Sequence, residues 1–181
     1  MPLDATLAGP QSNSYLAITA AEEYFAGRLG AEAWEGANDI DKEKALISAC
    51  RRLEALGLEC DRRCATPKSP VAIAQRLSFP RRKDLDAGGG YIIPEPVRQA
   101  QCEEALALLA GGSQATKRQQ LRAGGVVAFS VDGLSETYAP GTAPGPALLS
   151  PEAMSLVAPY RRRGGMIATS IYPRGEWSPG S

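Results

Sequence analysis

The sulfur side chains are the first candidates for chemistry in this sequence. Cys60 and Cys64 stand close together in a polar stretch, as zinc ligands often do. A zinc site would need two further soft ligands, yet the sequence has no histidine and no second closely spaced cysteine pair. Cys50 and Cys102 fall on apolar stripes and are interpreted as small core residues. We therefore expect no metal site and reduced thiols in a cytosolic compartment.

The carboxylates do not suggest an acid–base pair. Glu22 and Glu23, like Glu103 and Glu104, are adjacent, and neighbouring positions of a helix point in different directions. The lack of histidine excludes His-based triads and His general bases. Gly88–Gly90 is not followed by the Gly-Lys-Ser/Thr of a phosphate-binding loop and is interpreted as a flexible loop. The sequence thus predicts a protein that is not an enzyme and holds no cofactor.

Two runs of cations could contact DNA phosphates or an acidic partner. The charge of the whole chain is balanced, with 20 basic and 20 acidic residues, which argues against a dedicated nucleic-acid binder. For each run alone, cations of a solvent-exposed loop are therefore the simpler interpretation. A ring of subunits would nevertheless repeat each run in many copies and so enlarge its electrostatic field. The runs are Arg81, Arg82 and Lys83, and Arg161, Arg162 and Arg163.

Helices are expected to position these residues, because the apolar content of 44 % is largely alanine and leucine. Thr19 and Glu22 form a capping-box pattern at the start of a helix over 19–29, and Trp34 is expected as a core anchor. A strongly amphipathic helix follows over 39–56. A third helix over 96–110 is expected to stop at Gly111-Gly112, and a fourth over 151–162 to start at Ser150-Pro151.

The other segments complete a mainly α fold. We predict a small helical bundle with a β-hairpin over 116–131 that turns at Gly124-Gly125, a long irregular loop over 58–95, and extended N- and C-terminal arms. The predicted parts are an arm (1–14), a body (15–138), a Pro/Gly linker (139–149) and a C-terminal helix with a docking tail (150–181). No apolar window is long enough to span a membrane, and no signal peptide is apparent.

Several of these segments together resemble a known family. The order and spacing of the segments carry the resemblance, since no single motif is specific. The chain resembles the head–tail connector, or adaptor, proteins of tailed phages, whose relatives are also described as DnaT-like single-stranded-DNA-binding proteins. The segments are 14–29, Trp34, 42–53, 77–81, 93–107 and 150–160.

The resemblance implies a structural subunit of a virion, assembled in the host cytoplasm. Such subunits form a closed ring of about twelve copies beneath the portal, at the neck, and the next neck or tail protein attaches to it. Double-stranded DNA passes through the lumen and makes transient contacts, and Arg81, Arg82 and Lys83 are the residues expected to contact this DNA or a partner protein. The expected portal-docking residues are Met154, Val157, Tyr160, Arg161, Arg162, Arg163, Tyr172 and Trp177.

A single-stranded-DNA-binding replication protein, similar to a primosomal protein, remains the alternative. It would need aromatic side chains interleaved with basic ones on one surface. The aromatic content is only 6 %, and these residues fall mostly on apolar helix faces. The connector is therefore the first interpretation from sequence, and single-strand binding the second.

Overall fold

A computed structural model describes residues 2–61, 75–123, 128–131, 134–137 and 148–162 of the chain. This part is mainly helical, which confirms the predicted fold class at that level. None of its helices is long and apolar enough to cross a membrane. The elements in chain order are α1 (Ile18–Ala26), α2 (Glu32–Glu35), α3 (Asp39–Ala55), α4 (Glu95–Ala123), β1 (Ala128–Val131), β2 (Leu134–Thr137) and α5 (Pro151–Val157), with a 3₁₀ turn at Ala158–Tyr160.

Helix α3 forms where the sequence predicts it. The side chain of Asn38 accepts a hydrogen bond from the backbone N–H of Asp41 at 2.9 Å, so it caps the first turn. The helix packs mainly on α4, and its predicted apolar stripe is buried there. The helix is followed by Gly57, which has a φ of +71°. The buried stripe consists of Leu46, Ala49, Cys50 and Leu53.

Helix α1 differs from the prediction at both ends. No side chain caps its first turn, so the box expected from Thr19 and Glu22 is wrong. Glu22 instead accepts a hydrogen bond from Lys42 Nζ at 2.6 Å, and so ties α1 to α3. The helix ends before Gly27, which leaves the helical conformation. Leu29 consequently lies beyond the helix and is 94 % exposed, where the sequence pattern had placed it in the apolar stripe.

Helix α4 overturns two predictions. It does not stop at Gly111-Gly112 but continues to Ala123, so the first strand of the predicted hairpin over 116–131 is helical. A glycine inside a helix costs only about 1 kcal/mol relative to alanine, and Thr116–Ala123 is rich in strong helix formers such as Gln, Arg and Leu. The two described strands lie further along the chain and pair antiparallel, with Ala128 opposite Thr137.

A buried glutamine joins the N-terminal segment to the two long helices. Gln101 of α4 is fully buried, and its side-chain nitrogen donates to Ser14 Oγ at 2.7 Å and to the Leu46 carbonyl at 2.9 Å. Its side-chain oxygen accepts from the Tyr15 N–H at 2.9 Å. Every polar atom of this side chain is thus used, which removes the cost of burying it. Trp34 is also buried, as predicted.

Helix α5 begins at its predicted cap and is held to α4 by a buried carboxylate. Ser150 Oγ accepts from the Ala153 N–H at 3.1 Å. Glu104 is fully buried and accepts from the N–H groups of Leu149 at 2.8 Å and of Ser150 at 3.0 Å. Glu104 also forms an ion pair with Arg52 of α3, whose Nε lies 2.5 Å from Glu104 Oε1. One side chain therefore positions the start of α5 against both long helices.

The remaining predicted parts fall partly outside the described residues. Residues 62–74 of the long loop, 139–147 of the linker and 163–181 of the docking tail belong to this group. The N-terminal segment is described from residue 2. It folds back on itself, because the Asn13 side chain bonds the Asp4 N–H at 2.8 Å and the Pro2 carbonyl at 2.9 Å.

The continuation of α4 through its glycines can be tested by adding a methyl group. Gly112→Ala should raise the free energy of unfolding by about 0.5–1 kcal/mol, because alanine is the better helix former. Urea unfolding followed by circular dichroism measures the change. As the matched control, Gly57→Ala should lower stability by about 1–2 kcal/mol, because the φ of +71° there disfavours a side chain. A loss of stability in Gly112→Ala would mean that the helix ends at the glycine pair.

Candidate nucleic-acid interface

Three segments meet beyond the C-terminal end of α3, and the described cations of both predicted runs lie among them. Leu58 and Arg161 form an antiparallel bridge. Beside it, the Glu59 N–H donates to the Tyr160 carbonyl at 2.8 Å, and the Arg162 N–H donates to the Gly57 carbonyl at 3.0 Å. The segment after α5 therefore pairs with the segment after α3. We call residues 57–61, 81–84 and 160–162 the basic junction.

Arg81 lies at the centre of the basic junction and is 5 % exposed. Its Nε and Nη2 donate to the Asp84 carboxylate at 3.0 and 2.9 Å, and its Nη1 donates to Glu59 Oε2 at 3.0 Å. The guanidinium carbon lies 4.7 Å from the ring centre of Phe79 and 4.9 Å from that of Tyr160. A single side chain thereby connects all three segments.

The burial of Arg81 corrects the prediction that it contacts DNA. Burial acts to lower its pKa, but the hydrogen bonds and charge of Asp84 and the charge of Glu59 outweigh it, and the pKa is raised. The guanidinium is thus permanently charged and already neutralised within the chain. Its role in the described structure is to hold the junction together.

The other cations of the two runs that the structure describes are exposed. Arg82 is exposed, with its backbone N–H bonded to Asp61 Oδ1 at 2.9 Å. The Lys83 side chain is 65 % exposed, and its Nζ lies 3.8 Å from Glu59. Arg161 and Arg162 are also exposed. The structure therefore brings the described cations of the two runs together in the basic junction, where five cations, one of them the buried Arg81, stand against three carboxylates.

A further signal in the sequence was missed. Residues 62–83 carry seven cations and no carboxylate, although the whole chain is neutral. The described part of this stretch, 75–83, leads into the basic junction. Counting charge by segment would have identified the stretch, whereas the net charge of the chain conceals it. The seven cations are Arg62, Arg63, Lys68, Arg76, Arg81, Arg82 and Lys83.

The predicted portal-docking residues are divided by the fold. Val157 is fully buried and Met154 half-buried, because the apolar face of α5 packs on the core. The Tyr160 ring is half-buried against Phe79, with ring centres 5.5 Å apart. Val157 is therefore unavailable to a partner, which corrects that part of the prediction. Arg163, Tyr172 and Trp177 lie outside the described residues.

Two of the described cysteines, Cys50 and Cys102, are buried in the core. Burial raises the pKa of the Cys50 thiol, and it raises that of Cys102 to about 12, so both stay protonated at neutral pH. Over the ranges that the structure describes, no group of three His, Cys, Asp or Glu side chains could hold a metal ion. Cys60 is half-buried, with its Sγ 3.1 Å from Arg162 Nη2, and Cys64 lies outside these ranges.

The adjacent carboxylates of α4 point to different partners, as helical spacing requires. Glu104 faces α3 and α5, whereas Glu103 pairs with the Arg28 guanidinium, whose Nη2 donates to Glu103 Oε2 at 2.7 Å. The Tyr24 hydroxyl also donates to Glu103, at 2.6 Å. Burial first, and then this hydrogen bond, raise the pKa of Tyr24 to about 12. These contacts fasten α1 to α4.

Comparison with known proteins gives a family for the chain. Residues 2–173 match the family described as "Putative DnaT-like ssDNA binding protein". The chain belongs to this family. The match includes the whole basic junction and every described helix. No curated protein and no solved structure matches the chain. The description agrees with the alternative kept open from the sequence, and it does not mention a phage connector.

The structural role of Arg81 can be separated from surface charge. Arg81→Met should lower the free energy of unfolding by about 3–5 kcal/mol, because it leaves the buried Asp84 carboxylate without its cation. Lys83→Met removes an exposed cation from the same run and should change stability by no more than about 0.5 kcal/mol. Urea unfolding of both variants provides the measurement. Equal losses in the two variants would contradict the assignment.

Two tyrosines with raised pKa values predict a loss of stability at alkaline pH. The folded-state pKa of Tyr24 lies above its ordinary value of 10, and burial raises that of Tyr15 as well. A raised pKa stabilises the fold below the unfolded value, and this stabilisation is lost as pH rises toward the folded value. The free energy of unfolding should therefore fall between pH 10 and 12. In Tyr24→Phe, urea unfolding across this range should give a shallower fall; an unchanged slope would contradict the account.

Proposed function

We propose that the protein is a non-enzymatic protein that binds single-stranded DNA through the basic junction. One observation carries the proposal: the fold places Arg82 and Lys83 on the same surface as Arg161 and Arg162, although the two runs are far apart in sequence. The description of the family supports the same ligand.

The exposed cations are presented from a fixed backbone. The Asp84 carboxylate accepts from the Arg81 N–H at 2.7 Å, and the Asp84 N–H donates to the Arg81 carbonyl at 3.1 Å. This turn includes Arg82 and Lys83. The bridge of Leu58 with Arg161 fixes the backbone of the other run. Cations held in this way lose less conformational freedom on binding a phosphate than cations on a loose loop.

The carboxylates of the junction reduce its field but do not cancel it. Glu59 and Asp84 bond the buried Arg81, and Asp61 bonds the Arg82 backbone. Counted with Arg81, the junction holds five cations and three carboxylates, so its net charge is positive. Contacts of this kind bind nucleic-acid phosphates without reading sequence, and they weaken as salt concentration rises.

The head–tail connector is the second candidate, and exposed apolar side chains favour it. Leu29 is 94 % exposed and Ile40 is 65 % exposed, on segments away from the basic junction in the sequence. In a closed ring, a neighbouring subunit would cover such side chains. In a ring of about twelve copies under a portal, the same cations would meet duplex DNA in the lumen.

Fluorescence anisotropy with the full-length protein tests the first candidate. We expect sub-micromolar binding of a labelled oligo-dT strand at low salt, because several phosphates are neutralised together. The variant Arg82→Gln/Lys83→Gln/Arg161→Gln/Arg162→Gln should bind at least about tenfold more weakly. Its slope of log affinity against log salt should be shallower by about 3, or roughly 0.7 per lost phosphate contact.

The control variant Lys44→Gln removes an exposed cation from α3, and its affinity should stay close to that of the wild type. No binding of single strands at low salt would overturn the proposal. Location of the labelled subunit at the neck of purified phage particles, seen by electron microscopy, would then establish the connector function instead.

A further inference from the structure

The glycine-rich loop after the basic junction is a closed turn. One oxygen of the Asp86 carboxylate accepts the N–H groups of Gly88 and Gly90, both at 2.8 Å, and the Asp86 N–H donates to the Gly90 carbonyl at 2.8 Å. Gly89 has a φ of +81°, which favours glycine. Leu85 and Tyr91 form a bridge that closes the turn. The loop is therefore a defined support for the residues at its base.

Large apolar side chains are exposed at the base of this loop. The described residues leave six such side chains exposed, and four of them lie in the loop or beside it. Their exposed fractions are between 40 and 46 %. A contiguous apolar area next to charged groups is typical of a binding surface. We call the four residues the apolar edge: Leu7, Leu85, Tyr91 and Ile92.

Part of the apolar edge lines a groove of about 360 Å³. Leu7 of the N-terminal segment lines it together with Tyr91 and Ile92. Glu95 and Arg98 of α4 add polar groups to the groove. The volume is in the range of pockets that hold small organic groups, with apolar walls and a few polar atoms.

The groove and the basic junction are contiguous. Only Asp84 separates Lys83 from Leu85, and the Leu85 N–H donates to the Lys83 carbonyl at 3.1 Å. The Ile92 N–H donates to the Asp84 carbonyl at 3.0 Å, which brings the second side of the loop to the same place. A ligand on this surface would meet cations and an exposed aromatic ring together.

Single-stranded DNA has the matching chemistry. Its backbone is anionic, and its bases have flat faces that stack on aromatic rings, whereas a duplex keeps those faces inside. We propose that a base of the bound strand stacks on the ring of Tyr91 in the groove, while neighbouring phosphates contact Arg82 and Lys83. The inference rests on the proposed function, and it makes Tyr91 the residue that selects single strands over duplexes.

Substitutions at Tyr91 test the stacking directly. With full-length protein and labelled oligo-dT, Tyr91→Ala should weaken binding by about 5- to 150-fold, the range for one stacked base. Tyr91→Phe keeps the ring and should bind as the wild type does. Tyr91→Leu keeps an apolar side chain without the ring and should be weakened nearly as much as Tyr91→Ala. The weaker binding of a duplex of the same length should change little in all three variants.

The outcomes separate this inference from the proposed function. If the wild type binds and the four-cation variant is weakened, but Tyr91→Ala binds as the wild type does, stacking is wrong and the function stands. If Tyr91→Leu binds single strands as tightly as the wild type does, the apolar edge makes a general apolar contact that needs no ring. Such a contact could equally be made with another protein, and stacking is again wrong. If the wild type does not bind single strands, both proposals fail. Urea unfolding midpoints of the variants confirm that they remain folded.

Discussion

The buried guanidinium of Arg81 is the interaction on which the candidate interface depends. It lies between two aromatic rings and two carboxylates, and each of these groups comes from a different turn or segment of the chain. A buried charge is tolerated only when it is paired and hydrogen-bonded, so the segments that carry its partners cannot separate at low cost. The positions of the exposed cations nearby follow from this requirement.

The same principle organises the helical body. Gln101, Glu103 and Glu104 lie in succession on α4 and are all buried. The first bonds the N-terminal segment and α3, the second bonds α1, and the third bonds α3 and the start of α5. Apolar packing alone would allow these elements to slide, whereas each polar contact is satisfied in one arrangement. Helix α4 therefore forms the centre of the fold, and its polar side chains fix the positions of the elements packed around it.

The sequence predicted the parts of the fold that local patterns determine. The amphipathic helix over 39–56 and the helix start at Ser150 depend on residues close in sequence, and the structure confirms them. Gly111-Gly112 was misleading, because a glycine pair is a stop signal only when the following residues do not favour helix. The capping box failed for another reason: Glu22 has a partner on α3 that the local pattern does not show.

The candidate site was harder to predict, because it depends on contacts between distant segments. Both cation runs were visible in the sequence, but their meeting rests on the pairing of Leu58 with Arg161, residues about a hundred positions apart. The sequence could not show that Arg81 is buried while Lys83 is exposed, because both belong to one run of cations. The exposure of Tyr91 depends on the turn that Asp86 closes, which no periodic pattern indicates.

The net charge of zero conceals an uneven distribution of charge along the chain. Residues 62–83 hold seven of the 20 cations and no carboxylate, so the rest of the chain has thirteen cations against 20 carboxylates. Several of those thirteen, Arg28, Lys42 and Arg52 among them, are paired with carboxylates inside the body. If the proposed function holds, a polyanion is repelled by most of the chain and attracted to one stretch, which focuses binding more sharply than a uniform basic excess would. Balanced composition excludes a generally basic protein, but it is compatible with a local nucleic-acid interface.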